Sequence, residues 1–252
     1  MPRFFIPSEQ VRDGHAEILG ADAVHLVKSL RVHPGEVVVV VVADQRIEHG
    51  VHVEAVSASR VAGTVMWSRP AEGEPRRRVL VIQAIPARGA ELMVEALAEA
   101  GAAELLPVVT ARGTARPSAE RGRARVERWR SIARESAQLA GRAIVPVVHD
   151  VQPLAPAIRS VTGGARLLAC VPAADAIPIG SIRLRDTQPV AIVIGPEGGF
   201  AGSDLELCRD AGAEFVHLGP RMLPAWLAGT IAVSLLLQSA GDLAQPAAEK
   251  PM

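Results

Sequence analysis

The sequence predicts an α/β protein in which an N-terminal β region precedes a parallel sheet covered by helices. Two patterns predict this class. About 70 residues at the start hold β-branched segments separated by polar or glycine turns, which are typical of a small barrel or sandwich. After Arg78, short apolar segments alternate with helical ones, as in a parallel sheet with helices on both faces. The composition agrees, because 49% hydrophobic and 21% charged residues exclude a disordered chain.

The N-terminal region is predicted to contain one helix and three strands. The helix covers residues 22–30, because Val24, Val27 and Leu30 then share one face. The strands cover residues 37–43, 50–56 and 61–67. Residues 68–78 hold two prolines and a glycine and are predicted to form a linker. The domain boundaries that follow are 1–72 for a β domain and 76–245 for an α/β domain.

The α/β region is predicted to have six strands and four helices. The strands cover residues 79–85, 105–109, 144–148, 166–171, 190–194 and 214–218, and the helices cover residues 91–100, 118–140, 203–211 and 224–243. The third helix is expected to begin with a capping box formed by Ser203 and Glu206 and to end at Gly212. Residues 245–252 are expected to be a frayed tail.

Charge is balanced over the whole chain but not along it. With 27 Lys and Arg against 27 Asp and Glu, the sequence argues against a globally basic nucleic-acid-binding protein. Residues 112–142, however, hold nine arginines and three glutamates, a net charge of +6. That segment fits either an RNA contact or a solvated helix face. Residues 1–75 hold seven basic and ten acidic side chains, which disfavours RNA binding by the β domain.

The sequence shows neither targeting signals nor metal-binding motifs. Its two cysteines, Cys170 and Cys208, lack CxxC spacing and are predicted to be buried thiols in a reducing cytosol. His49 and His52 have no acidic partners, so no metal site is predicted. The first residues do not resemble a signal peptide, and no apolar run approaches the roughly 18 residues that span a membrane. We therefore expect a cytoplasmic protein that binds neither a membrane nor a metal ion.

Three loops at strand ends are predicted to form a ligand site. Residues 194–200 read Ile-Gly-Pro-Glu-Gly-Gly-Phe, and residues 218–224 read Leu-Gly-Pro-Arg-Met-Leu-Pro after the next strand. Residues 169–173 follow the preceding strand. Ligands of open α/β sheets bind outside the carboxyl ends of the strands, where glycines let the main chain approach them closely. An apolar pocket rich in main-chain groups suits a flat heterocycle better than a polyphosphate.

In their order and residue sequence, these loops resemble those of the RsmE family of ribosomal RNA methyltransferases, which belongs to the SPOUT superfamily. The resemblance extends over nearly the whole chain. It includes Arg3-Phe4-Phe5, residues 25–31, 99–102, 128–133 and 141–142, the two Gly-Pro loops at 194–200 and 218–223, and the last helix through Gln238.

This resemblance implies a fold, a reaction and a set of binding residues. The first domain would be a PUA-like β-barrel, and the second a SPOUT-type parallel sheet with a deep trefoil knot, a feature nearly absent from other proteins. The protein would be a homodimer that binds S-adenosylmethionine and methylates N3 of a uridine in small-subunit ribosomal RNA. The residues implied in cofactor binding are Val171, Pro172, Ile194, Gly195, Pro196, Glu197, Gly198, Gly199, Leu218, Gly219, Met222, Leu223 and Ala228.

Part of the second Gly-Pro loop departs from the family pattern. Where the family usually has Leu-Arg-Thr-Glu-Thr-Ala, residues 223–228 read Leu-Pro-Ala-Trp-Leu-Ala. The polar side chains that the family carries at the cofactor and substrate edge are therefore replaced. Trp226 is either a core side chain or a ring that stacks on the substrate. The segment before the first helix of the α/β region, residues 87–90, is also one residue shorter than the family pattern.

Methylation of a uridine nitrogen requires the loss of its proton, so a general base or a cation that stabilises the anion is needed. The candidates for this catalytic role are Arg221, Glu197 and Arg142. Glu197 could instead cap the following helix, and Arg221 could form a salt bridge at a dimer interface. The candidates for substrate binding are Arg3, Arg31, Arg88, Arg112 and Trp226.

Three functions are compatible with these features. The first is methylation of small-subunit ribosomal RNA, favoured by the Arg-rich helix and the full-length resemblance. The second is methylation of a small molecule of specialised metabolism, in a pocket lined by Met222, Trp226 and Leu227. The third is a non-catalytic homologue that retains the cofactor or only the dimer fold. Residues 224–227 favour the second and third. Gly198→Val is expected to abolish cofactor binding, and Arg221→Ala to lower activity.

Overall fold

The chain divides into two compact units. The computed structural model describes residues 3–114, 119–184 and 187–244. The N-terminal unit contains the residues up to Glu74 together with Ala137–Val145. The C-terminal unit contains Pro75–Ser136 and the chain from Pro146 onward. The sequence predicted boundaries at residues 72 and 76 and did not foresee that Ala137–Val145 joins the first unit.

The N-terminal unit is built on one mixed sheet of six strands, in the order β1-β4-β5-β6-β3-β2. The elements are β1 (Arg3–Phe5), β2 (Val11–Arg12), β3 (His15–Leu19), α1 (Gly20–Lys28), β4 (Val37–Val42), β5 (Ile47–Ser57) and β6 (Arg60–Pro70). β1 pairs with β4 in parallel, and the other pairings are antiparallel. Within the described residues no pairing joins the edge strands β1 and β2, and the mixed sheet is consistent with the predicted PUA-like barrel.

Valine at every position of β4 gives this strand two apolar faces, because successive side chains of a strand point to opposite sides. Val38, Val40 and Val42 pack into the main core of the unit with α1. Val41 faces the other way and packs with Phe5 and Ala137. This second cluster explains why the segment that begins at Ala137 belongs to the N-terminal unit.

The C-terminal unit is built on a parallel sheet of eight strands, which confirms the predicted α/β class. The strands are β7 (Val79–Ala84), β8 (Glu104–Val109), β9 (Val147–Val148), β10 (Gln152–Pro153), β11 (Arg166–Cys170), β12 (Ile177–Pro178), β13 (Val190–Ile194) and β14 (Glu214–His217). Their order is β10-β8-β7-β13-β11-β14-β12, and β9 also pairs with β8. The sheet order alone does not decide the trefoil knot, which stays a prediction.

Helices cover both faces of this sheet. They are α2 (Ala90–Glu99), α3 (Ala119–Leu139), α4 (Leu154–Val161), α5 (Gly202–Asp210) and α6 (Ala225–Ser239). α2, α6 and the part of α3 in this unit pack on one face, with Met93, Trp129 and Leu236 buried. α4 and α5 pack on the other face, with Ile158 and Cys208 buried. Of the described helices, none combines the length and the apolar character needed to span a membrane.

Two local predictions are corrected by the structure. The sequence analysis did not predict α4, which contains Pro156 in its first turn, a position where no intrahelical N–H bond is lost. The predicted capping box of Ser203 and Glu206 is also wrong. α5 begins earlier, and the Asp204 carboxylate accepts a 3.0 Å hydrogen bond from the Ala201 N–H. The predicted start of α3 at residue 118 and the predicted tail at 245–252 lie outside the described residues.

Candidate cofactor and active site

A cavity of about 350 Å³ lies where the carboxyl ends of β11, β13 and β14 meet in the C-terminal unit. These three strands are neighbours in the parallel sheet, so the loops that follow them lie side by side. The cavity is lined by Cys170, Val171, Pro172, Ile194, Gly195, Pro196, Glu197, Gly199, Phe200, His217, Leu218, Gly219, Pro220, Arg221, Met222, Leu223, Ala225 and Ala228. The three loops that the sequence analysis selected therefore form one site.

The structure brings together at this cavity all of the predicted cofactor-binding residues except Gly198, and also the catalytic candidates Glu197 and Arg221. Among the lining residues, His217 and Ala225 lie outside both the three predicted loops and the predicted cofactor-binding residues. Position could have indicated His217, because it is the last residue of β14. The binding and catalytic roles of these residues stay predictions.

Glycines shape both Gly-Pro loops. Gly199 has φ +69° and Gly219 has φ +94°, which L side chains rarely adopt. The Gly199 N–H donates to the Pro196 oxygen at 2.9 Å and closes the first loop as a tight turn. A Cβ at Gly195 would lie 3.1 Å from the Phe200 ring, so Gly195 permits close packing inside the loop. Gly198 differs, since a Cβ there would make no contact shorter than 3.8 Å among the described residues.

Two polar side chains on the cavity wall, Cys170 and His217, are constrained by burial and by a main-chain hydrogen bond, respectively. Burial raises the pKa of the Cys170 thiol to about 11, so this group is neutral at pH 7 and packs as an apolar side chain. The His217 Nδ1 accepts a 3.1 Å hydrogen bond from the Gly219 N–H. This contact joins the His217 ring to the main chain of the second Gly-Pro loop.

Two neighbouring loops are hydrogen-bonded to the loop that follows β13. The Glu197 Oε1 accepts a 3.0 Å hydrogen bond from the Ala87 N–H, in the loop between β7 and α2. Arg112, in the loop after β8, donates to the Gly198 oxygen over a long 3.4 Å. Arg88 is exposed beside Ala87. The predicted substrate residues Arg88 and Arg112 therefore lie on loops that contact the wall of the cavity.

Trp226 does not line the cavity. It packs against the core of the C-terminal unit and against Gly89. A Cβ at Gly89 would lie 3.2 Å from Cγ of the Trp226 ring. Of the two alternatives left open by the sequence, this geometry supports the core side chain over the substrate-stacking ring.

Arg142 and the other two predicted substrate residues belong to the N-terminal unit. The Arg142 side chain is 2% exposed, and its Nε and Nη2 each donate to the Glu74 carboxylate at 2.9 Å. Arg3 is paired with Glu48 and donates to the Arg142 oxygen at 3.2 Å. Arg31 is exposed, with φ +53°. The bidentate burial of Arg142 supports a structural role, so we do not include it in the proposed catalytic machinery.

The comparisons with known proteins agree with the geometry of the cavity. Residues 73–237 match the RNA methyltransferase domain family. Ribosomal RNA small subunit methyltransferase E of Mycobacterium bovis is 31% identical over 226 residues, which cover 86% of this chain and 84% of that protein. The chain belongs to the ribosomal RNA small subunit methyltransferase E family. The family resemblance inferred from the loops is thereby confirmed.

Solved structures of other methyltransferases share the fold of this family member. Ribosomal RNA small subunit methyltransferase E from Neisseria gonorrhoeae, bound to S-adenosylmethionine, has a TM-score of 0.83 at 24% identity, over 94% of this chain and 96% of that one. A methyltransferase from Legionella pneumophila, in complex with the same cofactor, has a TM-score of 0.82 at 25% identity, over 94% of this chain and 97% of that one. Both units of the chain are therefore covered by known folds.

Proposed function

We propose that this chain is a methyltransferase that transfers the methyl group of S-adenosylmethionine to N3 of a uridine in small-subunit ribosomal RNA, in the cytoplasm. The observation that carries the proposal is the single cavity formed by the two Gly-Pro loops and the Val171-Pro172 segment. Membership of the methyltransferase E family supports the RNA substrate. The choice of N3 comes from the family resemblance.

The wall of the cavity fits this cofactor. Its volume of about 350 Å³ falls within the range of roughly 300–1,000 Å³ that is usual for small-molecule sites. Its side chains are mainly apolar, and the glycine loops offer main-chain donors and acceptors for a heterocycle. The residues that would hold the cofactor are those of the loops after β11, β13 and β14. When bound, it supplies a methyl group activated by the adjacent sulfonium.

The residues around the cavity must favour the deprotonated form of the uridine. Arg221 lines the cavity, is exposed and forms no ion pair with the residues that the structure describes. A guanidinium in that position stabilises a developing anion, and this lowers the cost of releasing the N3 proton to water. We therefore assign the electrostatic role to Arg221. The walls hold the two reactants in one orientation, which removes much of the entropic barrier.

A homodimer is part of the proposal. α6 is apolar almost all round, which is unusual for a helix on the surface of a monomer. Leu227 and Ile231, one turn apart on α6, are partly exposed and lie outside the core clusters of the unit. Ile231→Glu is expected to convert a dimer to a monomer in sedimentation experiments. A wild-type chain that sediments as a monomer at all concentrations would contradict the dimer alone.

The test combines calorimetry with a transfer assay. Titration with S-adenosylmethionine should give a dissociation constant near micromolar, about −8 kcal/mol. The protein should then transfer a radiolabelled methyl group to small ribosomal subunits from a strain that lacks this modification. Arg221→Ala should lower transfer about 100-fold, as for the loss of an oxyanion-type donor. Arg159→Ala, an exposed arginine on α4, is the matched control and should retain activity.

Each negative result in these experiments would reject a different part of the proposal. Absence of binding at millimolar cofactor would reject the methyltransferase proposal. Binding without transfer to RNA would reject the substrate and support a non-catalytic homologue or a small-molecule enzyme. The small-molecule alternative has lost its structural support, because Trp226 and Leu227 do not line the cavity and only Met222 of the three does.

A further inference from the structure

The short loop between β7 and α2 is contacted near both of its ends by residues distant in sequence, one from a loop and one from α6. We call residues 86–89, Pro-Ala-Arg-Gly, the Arg88 loop. At one end the Ala87 N–H donates to the Glu197 Oε1 at 3.0 Å. At the other end Gly89 packs on Trp226. Glu197 lies in the first Gly-Pro loop and Trp226 in the first turn of α6, each 110 positions or more away along the chain.

The contact between Gly89 and Trp226 allows little movement. Gly89 has φ +77°, and a Cβ there would lie 3.2 Å from Cγ and 3.3 Å from Cδ1 of the Trp226 ring. The Gly89 oxygen accepts the first hydrogen bond of α2, from the Met93 N–H at 2.9 Å. Gly89 is therefore close to the indole and is joined by a main-chain hydrogen bond to α2, one face of which is buried.

The side chain between these two anchors is free. Arg88 is exposed and makes no ion pair or hydrogen bond with the rest of the described chain. When the loop is held in place, an arginine on it loses little main-chain entropy on binding an anion, and its planar fork matches the oxygens of a phosphate. The loop thus presents one guanidinium beside a residue of the cavity wall.

We propose that Glu197 and Trp226 are positioning residues that fix the Arg88 loop, so that Arg88 binds a phosphate of the RNA next to the target nucleotide. Glu197 then acts as a hydrogen-bond acceptor for Ala87 and not as the general base. This inference rests on the proposed function for its substrate, but the anchoring of the loop does not. The shortened segment 87–90 and the replaced segment 223–228 both depart from the family pattern. The contact between Gly89 and Trp226 joins these two segments, so the anchoring of the loop involves both departures.

Hydrogen exchange tests the anchoring without any activity measurement. In Glu197→Ala, amide exchange in a peptide covering residues 84–93 should rise about tenfold, because the loss of roughly 1.4 kcal/mol of local stability has that effect. In Glu197→Gln the amide oxygen still accepts from Ala87, so exchange should stay within about twofold of wild type. Glu206→Ala, an exposed carboxylate on α5, is the control. Unchanged exchange in Glu197→Ala would overturn the proposal.

Kinetics then separate the positioning role from a general base. Arg88→Ala and Glu197→Ala should each raise the KM for small ribosomal subunits, and the double variant should be no worse than Arg88→Ala alone. Glu197→Gln keeps an acceptor oxygen for the Ala87 N–H, so it should restore the KM for small ribosomal subunits towards the wild-type value, whereas loss of a general base costs about 100-fold or more in kcat. A kcat collapse in Glu197→Gln would overturn the proposal. A wild-type chain without transfer would refute the proposed function, while the exchange result would still decide the anchoring.

Discussion

The Gln83 Nε2 donates a 2.6 Å hydrogen bond to the main-chain oxygen of Ala225, the first residue of α6. Gln83 lies in β7 and is completely buried. Its Oε1 occupies the space above Gly229, where a Cβ would lie only 2.2 Å away. Because Ala225 and Ala228 form part of the cavity wall, this buried amide joins the centre of the sheet to the site.

The close approach of Gln83 to Gly229 predicts that the effect of Gly229→Ala on stability depends on whether Gln83 is present. Gly229→Ala should destabilise the protein by about 1–3 kcal/mol through overpacking, although alanine favours a helix by about 1 kcal/mol over glycine. In a Gln83→Ala background the space is vacant, so the same change should be neutral or stabilising. Urea unfolding of the four proteins measures both values. An equal cost in the two backgrounds would show that the two residues are not coupled.

The ion pair between Arg142 and Glu74 predicts a stability defect in the N-terminal unit. Arg142→Met should lower the free energy of unfolding by about 3 kcal/mol, because the partly buried Glu74 carboxylate loses its bidentate partner. Glu74 also accepts the Ile144 N–H at 3.1 Å, so its loss would release that segment as well. Arg60→Met, which breaks an exposed pair with Glu17, is the control and should change nothing measurable. Equal effects of the two substitutions would contradict the structural role.

The two glycines at the end of the first Gly-Pro loop should respond differently to substitution. Gly199→Val should weaken S-adenosylmethionine binding about tenfold or more, because φ +69° is strained for a β-branched residue. Gly198→Ala should bind within about twofold of wild type, because neither φ nor space opposes a Cβ there. Calorimetry measures both. The structure thus predicts that substitution at Gly199, and not at Gly198, weakens cofactor binding. A weaker affinity in Gly198→Ala than in Gly199→Val would refute this assignment of the loop.

The thiol of Cys170 should report on occupation of the cavity. With a pKa of about 11, only a small fraction is thiolate at neutral pH, and alkylation should speed up about tenfold per pH unit below that pKa. Saturating cofactor should protect Cys170. Cys208 has a pKa raised to a similar value of about 11 and lies outside the cavity, so it is an internal control. Peptide mass spectrometry distinguishes the two, and equal protection of both would indicate a global effect and not ligand in the cavity.

Local sequence patterns were sufficient for most of the α/β unit. The apolar run before Gly195 and the turn residues after it correctly predicted a strand that ends in a loop, and this loop lies at the cavity wall. The misses also have local reasons. Pro156 concealed α4, and Ser203 looked like an N-cap although the Asp204 carboxylate takes the capping position relative to Ala201.

The sequence by itself determined most of the main strands and helices of the α/β unit, the two Gly-Pro loops and the family, because periodicity and turn chemistry act over a few neighbouring residues. Tertiary structure alone decided the contacts of Arg142, Glu197 and Trp226. The partners of the first two, Glu74 and Ala87, lie 68 and 110 positions away. Ion pairs and packing of that kind depend on distances that only the assembled sheet and helices create, so composition and spacing could not distinguish a buried pair from a catalytic arginine.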